Sequence, residues 1–191
     1  DPAIAVVGGD GAPEQSPHDP LIDLKTLGPK TWLPSPAPDI ALAGSNDAVV
    51  TLSSLRGKPV VVLFYLGSSC PHCREQLKAF AKEKKAFDDL GAAVLAVSVD
   101  APEMSRAFLA SPDGQQVPFT LLSDPERKVA KLYGAHDTFE DLPLHGVVLI
   151  DPEGKIRWSR ASADPFTDTG FVLSETARVM RLLEGRRKTR V

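Results

Sequence analysis

The feature that most constrains this chain is a Cys-Pro-His-Cys sequence at positions 70–73, which contains its only two cysteines. The preceding run, residues 60–65, is apolar and rich in β-branched side chains, which predicts a buried strand. The following run, residues 74–80, predicts a helix. A C-x-x-C pair between a strand and a helix is typical of a redox-active dithiol. The sequence therefore predicts an α/β fold that carries a reactive cysteine pair at a helix start.

The helix start gives the two cysteines different expected roles. Cys70 would lie at the helix N-terminus, where unpaired N–H groups and the helix dipole stabilise a thiolate. Pro71 suits the first helical turn, because the N–H that it lacks would have no partner there. A protonated His72 would add a positive charge near the sulfur. We therefore predict that Cys70 attacks, that the more buried Cys73 resolves the mixed disulfide, and that His72 tunes the attacking thiolate.

A zinc site and a purely structural disulfide are the alternatives for this pair. A zinc site usually needs four ligands, and besides His72 the chain offers only His18, His136 and His145. His72 lies between the cysteines and is badly placed to complete a tetrahedral site with both. A disulfide that closes so short a loop constrains the unfolded chain little and stabilises weakly. The sequence therefore favours redox chemistry, with no metal and no cofactor.

Composition limits the broad class of the protein. The 191 residues are 42% hydrophobic and 25% charged, which is ordinary for a globular domain. The net charge of −3 gives no electrostatic footprint for nucleic acid. No apolar run approaches the roughly 20 residues that span a bilayer. The first residue is Asp1 rather than Met, so a mature or excised fragment is expected, from which an export signal could have been removed.

The two ends of the chain differ from its body. Eight of the 17 prolines lie within the first 38 residues, and glycines cluster at positions 8–11. Repeated proline and glycine remove the backbone hydrogen bonds of helices and sheets, so residues 1–35 are predicted to form an arm or a linker. Residues 36–184 are predicted to form the domain. Residues 185–191 are predicted to be a basic tail that is exposed to solvent.

Strand and helix patterns alternate along the body of the chain. Residues 40–42 and 49–52 predict a hairpin, because a Gly-Ser-Asn-Asp turn separates them. The other predicted elements are a helix over 74–91, a strand over 92–99, a helix from 100, a strand over 119–122, a helix from 123, a strand over 146–150, its antiparallel return over 155–159 and a helix over 173–183. This alternation predicts one α/β domain, with a central mixed sheet flanked by helices.

Residues 36–184 resemble the redoxin group of the thioredoxin superfamily. Residues 36–40, 52–59 and 150–156 are similar to both TlpA-like thiol–disulfide oxidoreductases and AhpC/TSA peroxiredoxins. Residues 97–100 and 121–134 look like bacterioferritin-comigratory peroxiredoxins, and the Cys-Pro-His-Cys tetrad is similar to that of DsbA-like oxidases. The resemblance implies a thioredoxin-like fold with an N-terminal hairpin, a redox activity and an antioxidant role for the peroxiredoxin branch.

The chain departs from the peroxiredoxin motif P-x-x-x-T-x-x-C around the peroxide-reactive cysteine. If that cysteine is Cys70, Leu63 occupies the proline position and Gly67 the threonine position. If it is Cys73, the two positions are occupied by Leu66 and Cys70. The resemblance gives the threonine hydroxyl a part in binding peroxide, and neither register supplies that hydroxyl. Slow reaction with peroxide is therefore expected.

The resembling families also imply neighbours of the cysteine pair. The peroxiredoxin arginine and the thioredoxin-type cis-proline both align near His145, and Pro143 lies two residues away. Ser69 occupies the position of the tryptophan that often precedes the first cysteine, and Pro71 follows that cysteine. The thioredoxin buried acid aligns with Phe64, so its proton acceptor is missing. His145 either faces the sulfurs or faces solvent at a strand entry, and the sequence leaves both open.

Three functions are compatible with these residues. The first is a thiol–disulfide oxidoreductase that exchanges the Cys70–Cys73 pair with protein or small-molecule thiols and disulfides. The second is a peroxiredoxin-like thiol peroxidase that uses Cys70 or Cys73 against peroxide, and the third is a redox-dependent binding domain without catalysis. A pair used as a disulfide favours an extracytoplasmic site, periplasmic or membrane-tethered, although catalytic pairs also work in the cytosol.

Overall fold

A six-stranded mixed sheet organises residues 34–188, the part of the chain that the computed structural model describes. In chain order, its strands are β1 (Ser35–Pro36), β4 (Val60–Phe64), β5 (Ala93–Ser98), β6 (Thr120–Ser123), β9 (His145–Ile150) and β10 (Lys155–Ser162). Their spatial order is β1-β10-β9-β4-β5-β6, with β4, β5 and β6 parallel and the other pairs antiparallel. The predicted α/β fold with a central mixed sheet is confirmed.

Within residues 34–188, four short strands lie outside this sheet. They are β2 (Ala41–Ala43), β3 (Val49–Thr51), β7 (His136–Asp137) and β8 (Leu142–Pro143). Strands β2 and β3 pair as the predicted N-terminal hairpin, and Gly44 bridges it to Leu122 of β6. Strand β7 pairs with β8 just before the chain enters β9.

In the described part of the chain, five α-helices cover the two faces of the sheet. They are α1 (Pro71–Lys82), α2 (Lys84–Asp89), α3 (Pro102–Ala110), α4 (Lys128–Leu132) and α5 (Thr169–Lys188), with 3₁₀ turns at Leu52–Leu55 and Gly114–Gln116. Alternate side chains of β4 point to opposite faces, as in any strand. Val61 and Leu63 pack on the side of α1, α2, α3 and α5, whereas Val60 and Val62 pack on the side of α4 and the hairpin. Burial on both faces explains why β4 is apolar at every position.

Several helix boundaries differ from those that the sequence predicts, and α5 begins at Thr169 rather than at residue 173. The helix predicted over 74–91 is divided at Glu83, which ends α1 and precedes α2. The helix predicted from residue 123 begins at Lys128, because Arg127 adopts a left-handed conformation with φ 58°. The Asp124 carboxylate still caps this helix, since it accepts the N–H groups of Lys128 and Ala130, each at 2.9 Å.

The chain ends also refine the predicted domain limits. Helix α5 continues to Lys188, so the first four residues of the predicted basic tail belong to a helix. The predicted arm over residues 1–35 lies almost wholly outside the described residues, as does His18. Among the helices of residues 34–188, none combines the length and apolar character required to cross a membrane.

Candidate active site

Cys70 occupies the cap position at the start of α1. Its backbone is extended (φ −79°, ψ 122°), and Pro71 is the first residue of the helix, as predicted. The Cys70 N–H donates to the Gly67 carbonyl at 3.2 Å, and the Arg74 N–H donates to the Cys70 carbonyl at 3.2 Å. The turn that follows β4 and the first turn of α1 together fix this cysteine at the end of the sheet, where the free N–H groups of the helix face its sulfur.

Cys73 lies one helical turn further on and is completely buried. Its sulfur accepts the Leu66 N–H at 3.3 Å and packs into the apolar cluster between β4 and α1. Cys70 is partly exposed, so the two thiols differ in access as the sequence predicts. An attacking group from solution therefore reaches Cys70 before Cys73.

The environment also separates the acidities of the two thiols. Burial raises the pKa of Cys73 to about 12, and its hydrogen bond to Cys70 acts in the same direction. Burial opposes the thiolate of Cys70 too. There, however, hydrogen bonds from the Cys73 N–H, the Cys73 thiol and the His72 N–H, together with the charge of Arg74, hold the pKa of Cys70 below its ordinary value. The pair thus consists of one accessible thiol whose ionisation is favoured and one buried thiol whose ionisation is opposed.

His145 faces the sulfurs, which answers the question that the sequence left open. It is the first residue of β9 and is 3% exposed, and its Nε2 lies 3.3 Å from the Cys73 Sγ. Its Nδ1 lies 2.8 Å from the Ala163 carbonyl. A carbonyl oxygen only accepts, so Nδ1 carries the proton and the Nε2 lone pair faces Cys73 in the neutral ring. Burial lowers the pKa of His145, which favours that neutral form.

The three side chains form one compact cluster. The sulfurs of Cys70 and Cys73 and a ring nitrogen of His145 all lie within 4.8 Å of one another. The Cys73 thiol proton therefore has two possible acceptors, the Cys70 thiolate and the His145 imidazole. This arrangement can form a disulfide between the cysteines, and it supplies a base beside the buried thiol.

Asp100 is a residue of the site that the sequence analysis did not select. It is buried just after β5, and its Oδ2 accepts the Ser68 N–H at 2.7 Å. A side chain at Gly67 would place its Cβ 2.9 Å from the Asp100 Oδ1, so glycine allows the loop to approach this carboxylate closely. Asp100 thus holds the loop that leads into Cys70. The signal for it in the sequence is the Val-Ser-Val-Asp run at 97–100, where an acidic residue directly follows an apolar strand.

The remaining residues that the sequence predicts beside the cysteine pair are His72, Ser69 and Pro143. His72 is exposed, and it contributes to the stabilisation of a Cys70 thiolate through its backbone N–H. Ser69 is exposed in the turn before Cys70. Pro143 lies in β8 opposite His136, and its peptide bond is trans, like every other within residues 34–188.

The comparisons with known proteins identify the family. The AhpC/TSA family model matches residues 34–159. A chloroplastic peroxiredoxin Q of Sedum lineare is 35% identical over 144 residues, which is 75% of this chain and 75% of that protein. Peroxiredoxin 2 of Thermoplasma acidophilum is 30% identical over 151 residues, covering 78% of this chain and 74% of the relative. This chain belongs to the AhpC/TSA family.

Solved structures of peroxiredoxins share the fold at lower sequence identity. The reduced 2-Cys peroxiredoxin of Plasmodium vivax superposes with a TM-score of 0.70 at 21% identity, over 81% of this chain and 99% of that one. A peroxiredoxin Q of Xanthomonas campestris gives a TM-score of 0.65 at 23% identity, over 73% of this chain and 90% of that one. The predicted thioredoxin-like fold is therefore confirmed. Family membership supports thiol redox chemistry at the Cys70–Cys73 pair.

Proposed function

We propose that this AhpC/TSA protein is a dithiol oxidoreductase that works through reversible formation of a Cys70–Cys73 disulfide. The proposal rests on the difference between the environments of the two cysteines. Cys70 is accessible and has a lowered pKa, whereas Cys73 is buried, has a raised pKa and lies against His145. An accessible thiol with a lowered pKa suits the attacking role, and a buried thiol beside a base suits the resolving role.

In the first step, the Cys70 thiolate attacks a substrate disulfide. A bond forms between the Cys70 sulfur and one substrate sulfur, and the other substrate sulfur leaves as a thiolate. In the second step, Cys73 passes its proton to His145 Nε2 and attacks the Cys70 sulfur. The Cys70–Cys73 disulfide forms, and the second substrate sulfur leaves as a thiolate. The substrate disulfide has then gained two electrons, and the cysteine pair has lost two. The same steps in reverse oxidise a substrate dithiol.

Trapping of the mixed disulfide tests this proposal. With oxidised glutathione as the substrate, Cys73→Ser should accumulate a stable adduct of one glutathione on Cys70, because no resolving thiol remains. The matched Cys70→Ser variant should react far more slowly, since its remaining thiol is buried. Intact-protein mass spectrometry reads both. Equal adduct formation by the two variants would contradict the assigned roles.

Peroxide reduction by the same pair is the second candidate. The family match and the relatives that are named peroxiredoxins fit peroxide reduction better than they fit general disulfide exchange. A thiolate would attack the peroxide O–O bond, forming a sulfenic acid and releasing an alcohol or water. The second cysteine would then condense with the sulfenic acid, forming the disulfide and releasing water. The absence of a motif threonine at Gly67 or Cys70 argues for a slow first step.

A direct comparison of rates separates the candidates. Stoichiometric hydrogen peroxide and oxidised glutathione are each added to the reduced protein, and disulfide formation is followed. Faster reaction with peroxide, and a sulfenic acid on one cysteine of the single-serine variants, would favour the peroxidase. Faster exchange with the disulfide would favour the oxidoreductase. Reaction with neither would favour a redox-dependent binding domain.

We also propose the cellular compartment in which the protein works. A Cys70–Cys73 disulfide persists most easily where no strong thiol buffer reduces it, so we propose an extracytoplasmic setting. Expected partners are protein or small-molecule thiols and disulfides. Measurement of the reduction potential of the pair tests the setting, because a potential far below that of an oxidising compartment would leave the pair permanently oxidised there.

A further inference from the structure

The fold completes a metal-type donor set that the linear sequence does not display. His145 is separated from Cys73 by 72 positions, yet β9 places its Nε2 beside both sulfurs. Two thiolates and one imidazole are the ligands that soft ions such as Cu(I) and Zn(II) select. We propose that the reduced protein binds one soft metal ion through the sulfurs of Cys70 and Cys73 and the Nε2 of His145.

The distances suit such a site. Bonds of about 2.3 Å to sulfur and about 2.0–2.1 Å to nitrogen place neighbouring ligand atoms about 3.6–4.0 Å apart in trigonal or tetrahedral geometry. The Cys73 Sγ and His145 Nε2 are 3.3 Å apart, and all three ligand atoms lie within 4.8 Å. A small adjustment of the partly exposed Cys70 side chain brings the third atom to bonding distance. The same exposure gives an ion its route to the site.

The surroundings orient the donors as a metal site requires. The His145 Nδ1–H donates to the Ala163 carbonyl at 2.8 Å, which leaves the Nε2 lone pair directed toward the sulfurs. Metal-binding histidines usually make this type of outer hydrogen bond, which fixes the ring and its tautomer. The Leu66 N–H donates to the Cys73 sulfur at 3.3 Å and stabilises negative charge on it. These contacts fix the positions of the imidazole ring and of the Cys73 sulfur, two of the three donors.

The site makes metal binding and redox chemistry mutually exclusive. Binding displaces the thiol protons of the pair and leaves both sulfurs reduced. Disulfide formation removes two electrons and joins the same sulfurs, after which neither is available as a thiolate ligand. The inference goes beyond the proposed function, because disulfide exchange needs no metal. A failure of metal binding would leave the proposed exchange reaction intact.

Competition titrations on the full, reduced chain test the inference. Cu(I) is supplied from its bicinchoninate complex and Zn(II) against a chromophoric chelator, which determines which of the two ions binds. We expect one ion per chain. The disulfide form of the same chain is the matched control and should take up none. X-ray absorption of the loaded protein should show two sulfur ligands at about 2.3 Å and one nitrogen at about 2.0–2.1 Å.

Substitutions of the three proposed ligands test which side chains bind the ion. Cys70→Ser and Cys73→Ser should each abolish stoichiometric uptake, and His145→Ala should weaken the affinity by about 10-fold or more. His136→Gln is the control, because it removes another buried imidazole, which pairs with Asp141 instead. Equal uptake by the reduced and disulfide forms would overturn the inference. So would unchanged affinity in His145→Ala, or absorption spectra with sulfur ligands alone.

Discussion

The Nε2 of His145 lies 3.3 Å from the sulfur of Cys73, and the Ala163 carbonyl holds the opposite nitrogen of the ring. This relationship gives the buried cysteine a proton acceptor. The buried acid of thioredoxins aligns with Phe64 in this chain, and a phenylalanine side chain cannot accept the proton. The histidine approaches from a different strand, and its lowered pKa keeps the ring neutral and able to accept a proton near neutral pH.

Replacement of His145 should slow the resolving step. We expect His145→Ala to resolve a Cys70–glutathione mixed disulfide about 10²-fold more slowly than the parent, because general-base catalysis is lost. The pH profile distinguishes a base from a structural residue. The parent rate should fall as pH drops through the lowered pKa of His145, because the ring then becomes protonated, and the variant should lack this step. A retained step in His145→Ala would contradict the assignment.

The Cys70 thiol should titrate below its ordinary pKa. Alkylation of the parent with iodoacetamide across pH, read by peptide mass spectrometry, should label Cys70 first, with a midpoint below the free-thiol value of about 8.5. Cys73→Ser keeps a hydrogen-bond donor beside the thiolate, whereas Cys73→Ala removes it. The Cys70 pKa should therefore be higher in the alanine variant than in the serine variant. A parent midpoint at or above the free-thiol value would refute the prediction.

The sequence predicts the fold better than it predicts helix ends. Strands β4, β5 and β9 are detectable because burial on both faces makes them almost continuously apolar. The break at Glu83 and the late start of α4 depend on local backbone conformation. Arg127 adopts a positive φ that its residue type does not announce, so no composition pattern marks that boundary.

Some features of the site can likewise be predicted from the sequence, and others cannot. Cys70 and Cys73 follow from local spacing at a strand–helix junction, so the sequence identifies them directly. The role of His145 depends on the register of β9 against β4, which pairs Gly146 with Phe64, and local pattern carries no such long-range information. The Leu66 N–H and the Ala163 carbonyl are backbone groups, and residue type does not indicate which partners such groups contact.

Arg74 should tune the pair through its charge. Arg74→Gln should raise the Cys70 pKa and make the pair less oxidising, because the cation near the thiolate is lost. Each pKa unit corresponds to about 1.4 kcal/mol, or about 30 mV for a two-electron couple. Lys78→Gln is the matched control, since Lys78 binds the same Asp113 carboxylate but does not act on Cys70. Redox titration against glutathione reads the potential.

The exposed His72 gives a comparison with Arg74. The sequence predicts that the His72 imidazole lowers the Cys70 pKa, so His72→Ala should also make the pair less oxidising. The His72 backbone N–H stabilises the thiolate and survives the substitution. The shift in potential should therefore be smaller than that of Arg74→Gln. A larger shift in His72→Ala would show that the imidazole, and not the guanidinium, is the main charge that tunes the pair.

Gln76 should be a site where a substitution stabilises the protein. Its side chain is completely buried in α1, and neither amide atom has a hydrogen-bond partner among residues 34–188. An unpaired buried amide costs about 1–3 kcal/mol, and an apolar side chain of similar length avoids this cost. We expect Gln76→Met to raise the free energy of unfolding of the reduced protein by about 1–2 kcal/mol in urea titrations. Glu75→Met, at the exposed neighbouring position, should change it by less than about 0.5 kcal/mol. Destabilisation by Gln76→Met would instead indicate that the amide makes a stabilising hydrogen bond, for example to a buried water between α1 and the sheet.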